Sequence, residues 1–242
     1  MKGGGFMAKY QEIAEDIHKN IVNGKYKLGE QLALEKEMCV HYGVSRITIK
    51  RAVDELVNMG LVVKRRGSGT FVKSIDNKEF RELSIAQQFT GFSEVYRDKN
   101  IHTELIRFDI VRPTEMVAEK LQITTEDFVY NIIRVRHVDG KPIVVEYTQM
   151  PIQLIPGIKK EILENSIYAY IQEELRFKIQ SAHRNIRAVM PNQIETEALN
   201  IQGVLPLLEV EQVAFLDDGQ PFEYSICRHR GDESVFRAVS IR

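Results

Sequence analysis

Arg134 and Arg136 stand two positions apart in the run FVYNIIRVRHV, whose branched and aromatic residues read as a β-strand. Side chains at i and i+2 of a strand leave from the same face. Their neighbours Ile133, Val135 and Val138 are apolar, which sets the pair beside a hydrophobic surface. Two guanidinium groups facing one pocket need an anion between them, and a phosphate fits their planar forks. Glu146 follows on the next strand-like run, beyond the turn Asp139-Gly140. Its carboxylate either accepts hydrogen bonds from sugar hydroxyls or pairs with one of the arginines. Ser166 is a candidate N-cap for a helical run to Leu175, whose first amides would face a bound phosphate, and Tyr168 offers a hydroxyl at the same end. Glu223 and His229 form a weaker pair, six residues apart and so on one strand face, with Arg228 and Arg230 making ordinary surface pairing an alternative for the histidine.

A second constellation lies near the N-terminus, in VSRITIKRAVDELVNMGLVVKRRGSGTFV from Val44 to Val72. Ser45 is a natural N-cap, and the helix it starts carries Arg46, Thr48, Lys50 and Arg51. The fork of Arg46 matches the O6 and N7 acceptors of guanine in the major groove, and Thr48 suits a base or a phosphate. Lys50 and Arg51 are placed for backbone phosphates, which position a protein without reading sequence. Lys64, Arg65 and Arg66 cluster on a glycine hairpin, from which at least one can reach a minor groove. A solvated basic helix explains any one of these residues. It does not explain cap, helix, strand and hairpin arriving in working order.

The elements that must hold these groups can be read from periodicity. Ile13, Ile17 and Ile21, flanked by Tyr10 and Ala14, mark a first helix from Tyr10 to Val22, stopped at Asn23-Gly24. A second helix is expected over Leu34–His41 with Leu34, Met38 and Val40 as its apolar positions. After the turn containing Gly43 and Val44, a third helix is expected to turn Ile47, Ala52, Val53, Leu56 and Val57 inward and to end at Met59-Gly60. Two short strands about Gly67 and Gly69 complete a wing. Residues 73–82 read as a polar linker between a domain at 9–72 and another at 83–242.

Beyond Leu83 the pattern is mixed. Strands are expected at 103–111, 128–138, 143–151, 179–189, 207–216 and 221–230, and helices at 84–88, 115–121, 157–161, 166–175 and 194–199. Asp139-Gly140 and Asp217-Asp218-Gly219 are hairpin turns, so an antiparallel sheet fits better than a doubly wound parallel one. The fold class expected is α+β: a winged helix-turn-helix followed by a mixed α/β domain on an antiparallel sheet.

The overall charge of −1 hides an uneven distribution. Residues 1–78 hold 14 Lys or Arg against 9 Asp or Glu, whereas residues 79–242 hold 19 against 25. A polyanion would be drawn to one part and repelled by the other. Cys39 and Cys227 lie far apart with no metal-ligand spacing, as in a reduced, cytoplasmic chain. The opening MKGGGFMAKY has no apolar core of secretory length; its glycines read as a flexible or vector-derived lead-in. No stretch approaches the length of a membrane span. No nucleophile-base-acid set and no metal cluster are evident, so neither an enzyme nor a cofactor is expected.

The stretches VSRITIKRAVDELVNMGLV and RRGSGTFV resemble the N-terminal domain of GntR-family transcription regulators over about residues 9–72. Upstream, LALEKEMC replaces the family's LPSEREL-type run, with Ala33 and Leu34 in the places of a proline and a serine cap. By resemblance, DNA-contacting roles pass to Arg46 and Lys36, and the wing-tip role to Gly67 and Gly69. Residues 83–242 are similar to the chorismate-lyase-like effector-binding (UTRA) domain of the HutC subfamily. The likeness is carried by RVRHVDGKPIVVEYTQMP, ENSIYAYIQEEL and RHRGDESVFRAV, and is strongest toward trehalose-type regulators. Members commonly bind phosphorylated sugars. The resemblance assigns the phosphate to Arg134, Arg136, Ser166 and Tyr168, the sugar to Glu146 and Glu223, and further contacts, loosely, to Thr90 through Ser93. YTQMP departs from the SYVP pattern of other members. The resulting expectation is a homodimeric repressor that binds double-stranded operator DNA and answers to a small phosphorylated sugar. A DNA-binding structural protein that senses nothing is the alternative, with an enzyme built on the larger domain behind it.

Overall fold

A computed structural model describes residues 8–27, 29–73, 92, 96 and 99–234. The chain divides into two compact units, taken here in turn.

The N-terminal unit is three helices and a two-stranded wing. Helix α1 (Lys9–Val22) buries Ile13, Ala14, Ile17 and Ile21, the stripe its four-residue spacing predicts. Helix α2 spans Glu35–Tyr42 and α3 spans Arg46–Asn58. The start of α2 has no serine cap. Instead the carboxylate of Glu37 accepts from the Leu34 amide at 2.9 Å, so one orphan donor of the first turn is satisfied from inside the helix. Gly43, at φ +63°, ends α2, and its amide donates to the Cys39 carbonyl. The Ser45 hydroxyl accepts from the Thr48 amide at 3.3 Å and caps α3.

Three inward assignments fail. Val40 and Ile47 are 81% and 72% exposed, and Leu34 also faces out. In α2 only Met38 is buried, because a helix this short turns one side to the bundle. In α3 the buried row is Ile49, Ala52, Val53 and Leu56, so Ile47 falls off the stripe by half a turn.

Strands β1 (Val62–Arg65) and β2 (Gly69–Val72) pair antiparallel from Val62–Val72 to Arg65–Gly69. The segment before α2 joins them: the Leu32 amide donates to the Thr70 carbonyl and the Val72 amide to the Glu30 carbonyl. Gly69 is required here. Its φ is +120°, and a Cβ would meet Nε2 of Gln31 at 2.2 Å, where that amide donates to the Ser68 carbonyl.

The second unit is one antiparallel sheet of six strands in the order β3-β4-β5-β8-β7-β6. They span Ile101–Val111 (β3), Val129–Val138 (β4), Lys141–Pro151 (β5), Ile179–Val189 (β6), Leu207–Leu216 (β7) and Pro221–Arg230 (β8). Asp139 and Gly140 both take positive φ and close the β4–β5 hairpin. One sheet face packs under α5 (Lys160–Leu163) and α6 (Ile167–Ala169), with Ile132, Met150, Leu163, Ile171 and Phe222 in its core. The opposite face carries Ile133, Val135 and Val145 against Leu199 and Ile201, beside α7 (Gln193–Ala198). Further along, Val129 and Tyr224 meet Val117 and Leu121 of α4 (Glu115–Leu121).

Two helix assignments are corrected. The helix expected at 157–161 begins only at Lys160, because Gly157 sits at φ +80° with the Tyr170 hydroxyl 2.7 Å from where a Cβ would be. The helix expected over 166–175 is α-helical only to Ala169 and then widens into a π turn, Tyr170–Glu174. The helix expected at 84–88 lies outside the described residues. Among the described residues, no helix is long and apolar enough to cross a membrane.

Candidate anion site and nucleic-acid interface

Directly paired residues of an antiparallel sheet share a face, so the register builds the site. One row across the sheet reads Leu105, Arg134, Glu146, Cys227 and Val210. The next reads Ile132, Thr148, Ser225, Gln212 and Arg184, and a third reads Thr103, Arg136, Val144, His229 and Leu208. Glu223 lies two residues from Ser225 on the same side. Thus Arg134, Arg136, Glu146, Glu223 and His229 share one face, although they arise from three strands. Ile133 and Val135 alternate to the other face, where they pack with Leu199. His229 is half-buried and the flanking arginines have other partners: Arg228 crosses to the far face to meet the buried Glu195 at 3.1 Å and Glu209, while Arg230 holds Asp232 at 2.8 Å.

The arginines are buried and already committed. Arg134 donates through Nη2 to Glu146 at 2.6 Å and through Nη1 to the Leu163 carbonyl at 2.9 Å. Of the two roles open to Glu146, pairing with an arginine is therefore realised in this state. Arg136 donates to the Asn165 carbonyl at 3.4 Å, and its guanidinium lies 4.7 Å from the centre of the Phe92 ring. Both carbonyls lie just before the Ser166 cap of α6, so the arginines hold the chain that leads into Ser166. The Ser166 hydroxyl accepts from the Ala169 amide at 3.2 Å. Tyr168 reaches across to Glu223 at 3.3 Å. Glu223 Oε1 also accepts from Ser225 at 2.7 Å and from Gln212 at 3.0 Å, and Gln212 in turn accepts from Arg184 at 2.6 Å.

Burial and charge set the protonation states. Burial opposes ionisation of Glu146, but Arg134 and Arg136 together outweigh it and hold the carboxyl below its ordinary range. Burial pushes Glu223 upward, and the neighbouring Glu146 adds to the push against the hydrogen bonds from Ser225 and Gln212. Burial lowers His229 to about 4 despite the pull of Glu146, so its imidazole is neutral at physiological pH. It raises the Cys227 thiol and the Tyr168 phenol well above their usual values, so both stay protonated. The described charges on this face are therefore three guanidiniums, Arg134, Arg136 and Arg184, against two carboxylates, one of them drawn toward its neutral form. Among the described residues guanidiniums thus outnumber ionised carboxylates on this face, with hydroxyl, amide and carboxyl groups around them. Such a set of groups suits an oxyanion attached to a polar, hydroxyl-bearing body.

Arg184, Gln212, Ser225, Thr148 and Cys227 were not singled out by sequence reading. Each sits on a strand whose period-two pattern is plain, but only the inter-strand register puts them in one patch. Thr90 and Ser93 lie outside the described residues. Among the described residues no group of side chains is suited to a metal.

In the N-terminal unit Lys36, Arg46, Lys50, Arg51, Arg65 and Arg66 are exposed. Two wing cations have local partners: Lys64 donates to Asp54 of α3 at 2.6 Å, and Arg65 lies 4.6 Å from the Phe71 ring centre. The Thr48 hydroxyl is 3.0 Å from Ser45 Oγ, within the cap itself.

Comparison with known proteins agrees with both units. Residues 9–72 match the model for bacterial regulatory proteins of the gntR family, and residues 97–234 match the UTRA domain. The transcriptional regulator GmuR of Bacillus subtilis is 39% identical over 236 residues, covering 98% of this chain and 100% of that one. The mannosyl-D-glycerate transport/metabolism system repressor MngR of Escherichia coli is 32% identical, covering 98% of each. The crystal structure of YydK from Bacillus subtilis superposes with a TM-score of 0.80 at 28% identity, covering 97% of this chain and 100% of that one. The chain therefore belongs to the HutC branch of the GntR family of transcription regulators, a DNA-binding protein, not an enzyme, with a winged helix-turn-helix and an effector-binding UTRA domain.

Proposed function

We propose that this protein is a cytoplasmic homodimeric repressor whose grip on its operator is set by a small phosphorylated sugar. The observation that carries this reading is the buried pair Arg134 and Arg136 on one sheet face, beside hydroxyl, amide and carboxyl groups that match a sugar. Arg134, Arg136, Ser166 and Tyr168 hold the phosphate; Glu146 and Glu223 accept from hydroxyls, with neutral His229 beside them. Thr90 and Ser93 complete the site by family resemblance. Residues 9–72 read DNA, 73–82 link, and 83–242 sense and dimerise. Lys36, Ser45, Arg46, Thr48, Lys50 and Arg51 face the operator with the wing residues Lys64, Arg65, Arg66, Gly67 and Gly69, and two units read half-sites related by the dimer axis. MngR, named a repressor of a mannosyl-D-glycerate system, is a relative in keeping with a sugar-derived effector.

Effector binding alters operator affinity only if the two DNA-binding states bind effector unequally. A thermal-shift screen of sugar phosphates against their unphosphorylated counterparts tests the site. A ligand at one hundred times its Kd stabilises the protein by about 2.7 kcal/mol, and only phosphorylated members should do so. Operator titrations at saturating ligand then test the coupling. Equal stabilisation by a sugar and its phosphate would refute the phosphate assignment, and an operator affinity unmoved by a bound ligand would refute the regulation.

A further inference from the structure

The surface of α3 holds an apolar side chain that neither its fold nor the roles given to its cations explain. Ile47 is 72% exposed, half a turn away from the buried row Ile49, Ala52, Val53 and Leu56. On a helix its near neighbours are at i+3 and i+4, which are Lys50 and Arg51, and Arg46 precedes it in the first turn. All three are exposed cations. The side chain therefore sits in the middle of the positive face. A Cα–Cβ bond leans toward the helix N-terminus, so Ile47 covers the end next to the Ser45 cap. Single exposed aliphatic residues are ordinary on protein surfaces. This one lies in the first turn of α3, among three exposed cations, where a polar or charged residue would be easier to hydrate.

The major groove displays one apolar feature, the C5 methyl of thymine. We propose that Ile47 is a specificity-determining residue that packs on a thymine methyl beside the base contacted by Arg46. The proposal rests on α3 being the groove helix. The neighbouring Thr48 is less exposed than Ile47, and its hydroxyl is tied into the cap by Ser45 at 3.0 Å. Arg46 and Ile47 thus make a reading pair of opposite chemistry, one for guanine acceptors and one for a methyl.

The experiment uses the full chain and a duplex enriched by it from a random pool. Each thymine of that duplex is replaced in turn by deoxyuridine, which keeps pairing and removes only the methyl. One thymine per half-site should then matter to the wild type by about fourfold, the worth of one buried methyl-sized group. In Ile47→Ala that replacement should have no further effect, and Ile47→Val should keep part of the sensitivity. Because Ile47 contributes little to the core, both variants should unfold with the wild type. Indifference of the wild type to every such replacement, or the same loss in wild type and Ile47→Ala, would overturn the role of Ile47. Failure of the wild type to enrich any sequence would instead overturn the groove reading of α3.

Discussion

Replacing Arg134 by methionine keeps much of the side chain's bulk but removes the donor to Glu146, leaving a carboxylate inside the sheet face. At the observed 2.6 Å the direct attraction is about 6 kcal/mol for an effective dielectric of roughly 20. Much of that offsets the desolvation of two ions, so the measurable quantity is the loss on removing one partner, about 3–5 kcal/mol. Arg136 also acts on Glu146, which places the expected loss at the lower end, about 3 kcal/mol. For a unit of this size the midpoint of thermal unfolding should fall by about 10 °C. The pH dependence identifies the cause. In the wild type the folded pKa of Glu146 is depressed, so its ionisation stabilises above the unfolded value and the gain is lost as pH falls through the folded one. In the variant, burial faces a weaker opposing pull; the folded pKa rises above the unfolded one, and ionisation becomes destabilising as pH increases. The gap between the two proteins should therefore be widest at neutral pH and close below about pH 4. Scanning calorimetry of the full chain at stepped pH measures it, with unfolding of the N-terminal unit as an internal reference. Arg134→Met combined with Glu146→Gln should recover most of the loss. A gap that stays constant into acid, or a double variant as unstable as the single one, would refute the ion pair as its source.

Three further outcomes are expected. Arg136→Ala should weaken a sugar phosphate by about 2 kcal/mol, the worth of a hydrogen bond to a charged group, while operator affinity without effector stays near wild type; paired calorimetric and DNA titrations check both. Arg46→Ala should cost about 1–3 kcal/mol on the selected duplex and relax base choice, whereas Lys50→Ala should lower the salt slope by about one without changing preference. Gly69→Ala must displace Gln31 from the Ser68 carbonyl and strain a positive φ, a loss of about 2–3 kcal/mol in the N-terminal unit. Gly67→Ala, with nothing within 4 Å of the added methyl, should cost only about 1 kcal/mol by chemical denaturation.

The strands were legible because branched residues alternate between turns such as Asp139-Gly140, and a two-residue period tolerates little error in its ends. The helices of the second unit were less so. Gly157 and the π turn at Tyr170–Glu174 break patterns that composition alone makes look continuous. In α2 and α3, Leu34, Val40 and Ile47 have the chemistry of core residues, yet a helix buries a stripe, and which stripe depends on its neighbours. The arginine pair could be placed on one face from spacing alone. Its meeting with Glu223, His229, Gln212 and Arg184 could not, since the pairings of β5 with β8 and of β6 with β7 join strands that no tight turn connects.

The two guanidiniums that would receive an oxyanion already serve as clamps on the main chain at Leu163 and Asn165. On the proposed reading, an arriving oxyanion would compete for the very N–H groups that fasten the chain just before Ser166. Occupancy would then be converted into backbone displacement at its first step, with sensor and lever sharing the same atoms.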